Sequence, residues 1–574
     1  MVMKDKTTNS TRAQQLPEAR PSDQTQRRAQ HSCQSYNTKW IVIALWLPAL
    51  LAYLSFRYLT PSAPTSDHDS FTLTHIDVSK VLKQNLILAK HPWEHGVLTH
   101  ALLELQNPEL TVFAGPGYGV DLRNPSKLAG GKVKPLEAFP GGQLPKCGGG
   151  LSAGGNAWGK YDEWVRVKGL RYAASKIDTT PIPETRVRGG RVMKQDARRQ
   201  WLIREGDSAA DAASLGWAAL LLERAGANDP TNPVGAGRNV YEEAADEMVR
   251  YLVEENAKFV LHDQIDASTG EGPKETSETK EHRLGPLREV GQEEGRKWAI
   301  SHRADSPQLW ADFVFMVPPF LAAYAVARQD DSWLLEAVTQ IEAYHEVLSL
   351  RSGDRRGFWK HIVDQRKDLE DCTRLRDEGL WLTGNAWALA GIVRVLAVLH
   401  RWDASGPEDG RPMAAPSKEH HRRRDEASKS LHGMANLMLE SLRIQLDGKT
   451  GLLKNYLDVP GFGSDDWAFG EAAGSALLVS SIYRLAQIEQ LQDLRWLEWA
   501  DELYNIVAEH IDKQGMMKPV TIVSEIPAKQ AVNGTSEGQS FAIMMWTARR
   551  DCARTGTCRT LESRSWSKRL RGLT

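Results

Sequence analysis

Residues 384–399 read GNAWALAGIVRVLAVL. The run opens on small residues and closes on bulky aliphatics. Two other stretches share this design, DAASLGWAALLLERA at 211–225 and GEAAGSALLVSSIYRLA at 470–486. Small residues let helix backbones approach at one end, and large ones fill the wider gap at the other. Between these runs lie amphipathic segments such as DDSWLLEAVTQIEAYHEVL at 330–348 and LRWLEWADELYNIVAEHI at 494–511. Apolar residues also recur at helical spacing in 78–105, 207–226, 239–260, 306–328, 332–350, 379–401, 423–446, 466–488 and 492–512. Strict polar–apolar alternation is scarce, so the chain reads as all-α. A buried helix followed by an amphipathic one, repeated, is what a two-layer ring of helical hairpins requires. An α-solenoid is the competing architecture, and it calls for a clearer fixed period than this chain has.

Composition narrows the function classes. Lys and Arg total 72 against 73 Asp and Glu, a net charge of −1, so no global field favours nucleic acid. Nineteen Trp against twelve Phe is a high ratio, and indole faces stack on sugar rings as readily as they fill cores. The five Cys, at 33, 147, 372, 552 and 558, show no paired spacing of the zinc type. Cys552 and Cys558 are near enough in sequence to bridge in an oxidising compartment.

The chain divides unevenly. Residues 1–39 are polar and read as a disordered cytosolic tail. Residues 40–56, WIVIALWLPALLAYLSF, carry no charge, and 40–59 reads as a transmembrane signal anchor. Lys4, Lys6, Arg12, Arg20, Arg27, Arg28 and Lys39 precede it against three acids, which places the N-terminus in the cytosol. The bulk of the chain is then expected on the lumenal or extracellular side of a single-pass membrane protein, where Asn533 in NGT could accept a glycan. A linker spans 60–71, the helical domain 72–550 and a C-terminal tail 551–574. Gly-rich, basic 113–206 and strongly charged 267–297 interrupt the domain as insertions, read as site loops, disordered segments or intron-coded sequence.

Polar and aromatic groups gather just ahead of the apolar runs. SHRADSPQLWADF holds His302, Arg303, Trp310 and Asp312; GFWKHIVD holds Trp359, His361 and Asp364. LWLTGNAWALAG holds Trp381, Thr383, Asn385 and Trp387; DSAADAASLG holds Asp207 and Asp211; FGEAAGS holds Glu471. In a ring of inner helices such starts converge on one concave end. Trp faces stack on a pyranose, His and Arg hold hydroxyls or a carboxylate, and an Asp donates a proton. Asp312, beside Trp310, Phe313 and Phe315, is expected to be partly desolvated, which favours a proton-bearing carboxyl. Taken singly, each residue has a plainer role: an Asp at a helix start caps it, and a Trp fills the core.

In order, HR…LWADFVFMVPPFLA, GFWKHIVD and TGNAWALAG resemble the unsaturated rhamnogalacturonyl hydrolases of glycoside hydrolase family 105 and, more distantly, the unsaturated glucuronyl hydrolases. The resemblance spans roughly 75–550. It implies an (α/α)6 barrel, Asp312 as general acid/base and Asp211 as second catalytic carboxylate, with Asp207 its rival. It implies His302, Arg303, Trp310, His361, Asn385 and Trp387 at the substrate. The implied reaction protonates and hydrates the C4–C5 enol ether of an unsaturated uronide and needs no metal or organic cofactor. The expected partners are an oligosaccharide and the membrane, with no nucleic acid. Thr383 stands where the family commonly has Arg, which removes a bidentate grip on a uronate carboxylate. Two other readings stay open. One is a toroid glycosidase on saturated glycans, with Asp211, Glu471 or Asp466 as its second acid; the other is a glycan-binding protein with a decayed site.

Overall fold

A computed structural model describes residues 76–113, 167–180, 187–188, 191–192, 201–206, 208–224, 240–261, 297–328, 330–366, 376–401, 418–458, 467–489, 494–523 and 525–558. The anchor at 40–59, the tail and linker flanking it, Asp207, Asp466 and most of both expected insertions lie outside these residues.

The described helices, in chain order, are α1 (Val78–Leu88), α2 (Pro92–Gln106), α3 (Lys168–Ala174), α4 (Ala209–Ala213), α5 (Gly216–Arg224), α6 (Val240–Arg250) and α7 (Phe313–Met316). Then come α8 (Pro318–Arg328), α9 (Ser332–Leu348), α10 (Leu382–Arg401), α11 (Lys418–Leu442), α12 (Ala472–Glu489), α13 (Leu494–Glu509) and α14 (Ser536–Arg554). Four two-stranded antiparallel ribbons complete the set: β1 (Val187–Arg188) with β2 (Arg191–Val192), β3 (Lys258–Leu261) with β4 (Lys297–Ile300), β5 (Gln308–Trp310) with β6 (Ile362–Asp364), and β7 (Val520–Thr521) with β8 (Ala531–Val532).

The packing closes a ring. α14 lies against α2, α2 against α4, α4 against α7, α7 against α10, α10 against α12, and α12 against α14. α5 follows directly on α4 and α8 on α7, and each inner element has an outer partner: α3 on α2, α6 on α5, α9 on α8, α11 on α10, α13 on α12 and α1 on α14. This is an all-α (α/α)6 barrel. The three runs singled out from sequence all lie in the inner layer. Residues 382–399 of α10 are buried, and it is the one described helix long and apolar enough to cross a membrane. Its burial inside the ring identifies it as a core helix.

Small residues set the inner spacing as the sequence suggested. A Cβ on Gly391 of α10 would lie 2.0 Å from the Val314 carbonyl oxygen, so only glycine admits this approach to α7. At their C-terminal ends the inner helices converge on buried charge. Arg394 of α10 binds Glu104 of α2 at 2.7 Å, and Arg484 of α12 binds Glu104 and Asp551 of α14, both at 2.8 Å. The inner helices are therefore parallel, and their starts share the opposite end.

Three boundaries differ from expectation. Helix α3 and residues 201–203, within the stretch read as an insertion, pack into the barrel with Leu170, Ala173, Trp201 and Leu202 buried. Residues 308–310 form a strand, because they pair with β6 rather than extend α8 backward. α14 runs to Arg554, past the expected domain end at 550, and a Cys552–Cys558 disulfide follows on it, with Cα atoms 5.4 Å apart.

Candidate functional site

Acids mark the starts of five inner helical elements. Glu94 and Asp211 lie in the first turns of α2 and α4, Asp312 stands at the N-cap position of α7 without a side-chain capping bond, Glu471 immediately precedes α12, and Glu537 lies in the first turn of α14. A helix N-terminus carries partial positive charge and unpaired N–H groups, so carboxylates are favoured there. The sixth, α10, carries Thr383 instead.

The β5–β6 ribbon assembles the centre of the site. Trp310 pairs with Ile362, and the Ala311 N–H donates to the His361 carbonyl at 2.9 Å. Trp310 and Asp312 on one strand end thus meet His361 on the other. The His361 ring lies between two carboxylates, Nδ1 at 2.8 Å from Asp377 Oδ2 and Nε2 at 3.5 Å from Asp312 Oδ2. Burial alone would lower the His361 pKa. The hydrogen bonds and charges of Asp312 and Asp377 outweigh it and hold the pKa at about 9, so the ring is an imidazolium at neutral pH.

Asp377 is itself braced. It accepts from the Tyr456 hydroxyl at 2.5 Å and from the Gly379 N–H at 3.1 Å. Burial, then the Asp377 charge, raise the Tyr456 pKa, which keeps its proton in this bond. Trp381 leans over His361 with ring centroids 4.4 Å apart and anchors its indole N–H on Asn455.

A second acid–imidazole pair lies across Trp310. His302 Nε2 is 3.4 Å from Asp211 Oδ1, and its ring stacks on Trp310 at 4.6 Å and 7°. Trp310 meets His361 edge-on at 5.9 Å. The order Asp211, His302, Trp310, His361, Asp312 is therefore continuous. The start of α4 is tied to the His302 segment, because the Ser208 hydroxyl and the Ala210 N–H both donate to the His302 carbonyl. Asp312 and Asp211 keep 14% and 15% of their side chains exposed, against 3% for each of the two histidines, so the carboxylates are the more accessible members of the two pairs.

The other expected site residues are placed differently. Arg303 directs its guanidinium to Asp305, with bonds of 3.0 and 3.2 Å. Asn385 spends its amide on backbone: Oδ1 accepts from the Trp359 N–H, and Nδ2 donates to the Trp359 and Trp381 carbonyls. It clamps the loop before His361 to the start of α10. Trp387 lies one turn deeper, between Phe315 and Phe541, with its indole N–H on Glu537 Oε1 at 2.9 Å. Asp364 belongs to the ribbon, accepting from Gln308 and Arg366.

Glu471 accepts from the Ala473 and Gly474 N–H groups, from the Thr383 hydroxyl at 3.0 Å and from the Thr521 N–H. Burial raises its pKa against these bonds. Burial, then the Asp312, Glu471 and Glu94 charges, push the Glu537 carboxyl well above the usual carboxylate range, against the pull of the Trp387 bond. Among the described residues no group of three or more His, Cys, Asp or Glu is arranged to hold a metal ion. Sequence reasoning missed Asp377, Tyr456 and Glu537. Asp377 and Tyr456 sit in polar loops with no motif around them, and the one signal for Glu537 was its place ahead of the short apolar run FAIMM.

The sequence model of glycosyl hydrolase family 88 matches residues 228–544, more than half of the chain. No curated protein matches. Among solved structures, a possible member of glycoside hydrolase family 105 from Salmonella enterica is 17% identical with a TM-score of 0.34, over 44% of this chain and 60% of that one. A family 105 glycoside hydrolase from C. acetobutylicum is 12% identical with a TM-score of 0.45, over 82% and 99%. A family 88 glycosyl hydrolase from Bacteroides vulgatus is 12% identical with a TM-score of 0.42, over 82% and 96%. The chain thus spans less than two thirds of the Salmonella protein and nearly the whole length of the other two. The family assignment rests on the match to residues 228–544.

Proposed function

The chain belongs to glycosyl hydrolase family 88 and is a glycoside hydrolase, and from that premise we propose that it hydrates the C4–C5 double bond of an unsaturated uronyl unit ending a pectin- or rhamnogalacturonan-type oligosaccharide. The observation that carries the reading is the imidazolium of His361 held between Asp312 and Asp377, facing the Asp211–His302 pair across Trp310. In this reaction the His361 proton passes to Asp312, and Asp312 gives it to C4 of the enol ether. Positive charge develops at C5 and is shared with the ring oxygen. Water adds at C5 and loses its proton to Asp312 or Asp211. The hemiketal opens and releases the aglycone sugar.

His361 stands behind Asp312 as a proton reserve, and the Tyr456–Asp377 pair fixes its ring. Trp310 offers the apolar face on which the sugar stacks. With Thr383 bound to Glu471 and Arg303 to Asp305, the cation at the centre of the described site is His361.

The test is loss of the absorbance band of the conjugated double bond when full-length protein meets lyase-digested rhamnogalacturonan. Wild type removes the band and Asp312→Asn slows its removal by roughly 10²–10⁴-fold, with the melting temperature kept. Near-normal turnover by Asp312→Asn refutes the assignment of the acid. A wild type that cleaves saturated glycans and leaves the band untouched refutes the hydration reaction.

A further inference from the structure

Glu537 has a feature that the proposed reaction does not use. Its side chain is 2% exposed. Oε1 accepts the Trp387 indole N–H, and Oε2 is buried without a hydrogen-bond partner. The charges that act on it belong to Asp312, Glu471 and Glu94, acids at the starts of three other inner helices. Glu537 lies in the first turn of α14, at the end of the ring where these acids gather. An ionised carboxylate in that position would be buried and repelled by its neighbours, which favours the protonated form, and Oε2 has no hydrogen-bond partner among the described residues.

A buried donor left unpaired costs stability, and folds retain such groups where a ligand completes the bond. We propose that Glu537 is a substrate-binding residue, a neutral carboxyl that keeps Oε1 on Trp387 and donates its Oε2 hydrogen to an uncharged sugar oxygen, a hydroxyl or ring oxygen, at the floor of the site. The surrounding acids repel a carboxylate from this position and admit a neutral acceptor. The inference rests on the reading of this barrel end as a carbohydrate site and adds the polarity of its floor.

The experiment compares full-length wild type, Glu537→Gln and Glu537→Leu with the unsaturated disaccharide of lyase-digested rhamnogalacturonan. Gln keeps both an acceptor for Trp387 and a donor for the sugar, so binding by calorimetry stays within about threefold of wild type; Leu weakens it about tenfold or more. Infrared difference spectra provide a readout independent of turnover. A protonated-carboxyl band present in wild type at pH 7 and absent in Glu537→Gln shifts when the disaccharide binds. Binding by Glu537→Leu equal to wild type, or a band that does not move on binding, overturns the proposal. So does a loss in Glu537→Gln as large as in Glu537→Leu, which would mean that charge and not the donor matters. A wild type that binds the disaccharide with a shifted band and does not consume the double bond upholds Glu537 and refutes the hydration reaction alone.

Discussion

Asp377→Asn tests the electrostatic core of the site without touching a residue placed against substrate. The variant keeps the shape of the side chain and removes one of the two charges that hold His361 protonated. A rise of the His361 pKa from 6.5 to about 9 corresponds to about 3 kcal/mol, at about 1.4 kcal/mol per pKa unit. His361 is fully enclosed, so solvent does not screen this figure. One close opposite charge typically supplies 1–3 pKa units, and Asp377, at 2.8 Å against 3.5 Å for Asp312, is the nearer partner. Its loss brings His361 back toward the ordinary imidazole range.

Activity that needs the imidazolium falls as pH rises through the His361 pKa. At pH 8 the protonated fraction drops about tenfold in the variant, and at pH 6 the two proteins nearly agree. The assay is the pH profile of kcat from the double-bond absorbance, paired with an NMR titration of the His361 ring. Stability follows the same sign. A folded-state pKa above the unfolded one stabilises fully below about pH 6.5, and that contribution is lost as pH rises through about 9. Denaturant unfolding at pH 6 and pH 9.5 should show this fall in wild type and much less of it in Asp377→Asn. An alkaline limb at the same pH in both proteins would refute the role given to Asp377.

Two other substitutions separate scaffold from site. Gly391→Ala places a methyl 2.0 Å from a backbone oxygen of α7, which cannot move aside as a side chain can; overpacking of this kind costs about 1–3 kcal/mol, read as a lower denaturation midpoint. Asn385→Ala strips the Trp359 N–H and carbonyl of their side-chain partner, while the Trp381 carbonyl keeps the backbone N–H of residue 385, and should destabilise by about 1–3 kcal/mol in unfolding experiments, with KM unchanged at temperatures where it stays folded. A raised KM with unchanged stability would instead return Asn385 to the substrate.

The inner layer was legible because its constraint is local. A parallel helix packed on several sides must be small where backbones meet and apolar nearly throughout, and 384–399 and 470–486 declare this without reference to the rest of the chain. α14 satisfies the same constraint in a way the pattern conceals. Its first turns bury polar groups that are paid for by partners distant in sequence: Ser536 and Ser540 bond to Asn85, and Gln539 to the Gly515 carbonyl. A helix whose buried face is Ser, Glu, Gln and Ser looks exposed until those partners are known, so the last inner helix and Glu537 with it were passed over.

The same division runs through the site. Asp312, Trp310 and His302 share one short segment, and His361 belongs to a motif whose pairing with that segment the β5–β6 ribbon supplies. Asp377 has no motif of its own. Its role arises because the backbone around 377–379 lies beside β6, with the His361 N–H on the Gly379 carbonyl and the Ile362 N–H on the Asp377 carbonyl. Those two bonds decide that the imidazole meets a second carboxylate, and through it whether the ring is charged. The charge state at the centre of this site is therefore set by tertiary pairing between loops, while the residue types that use it are written in the local sequence.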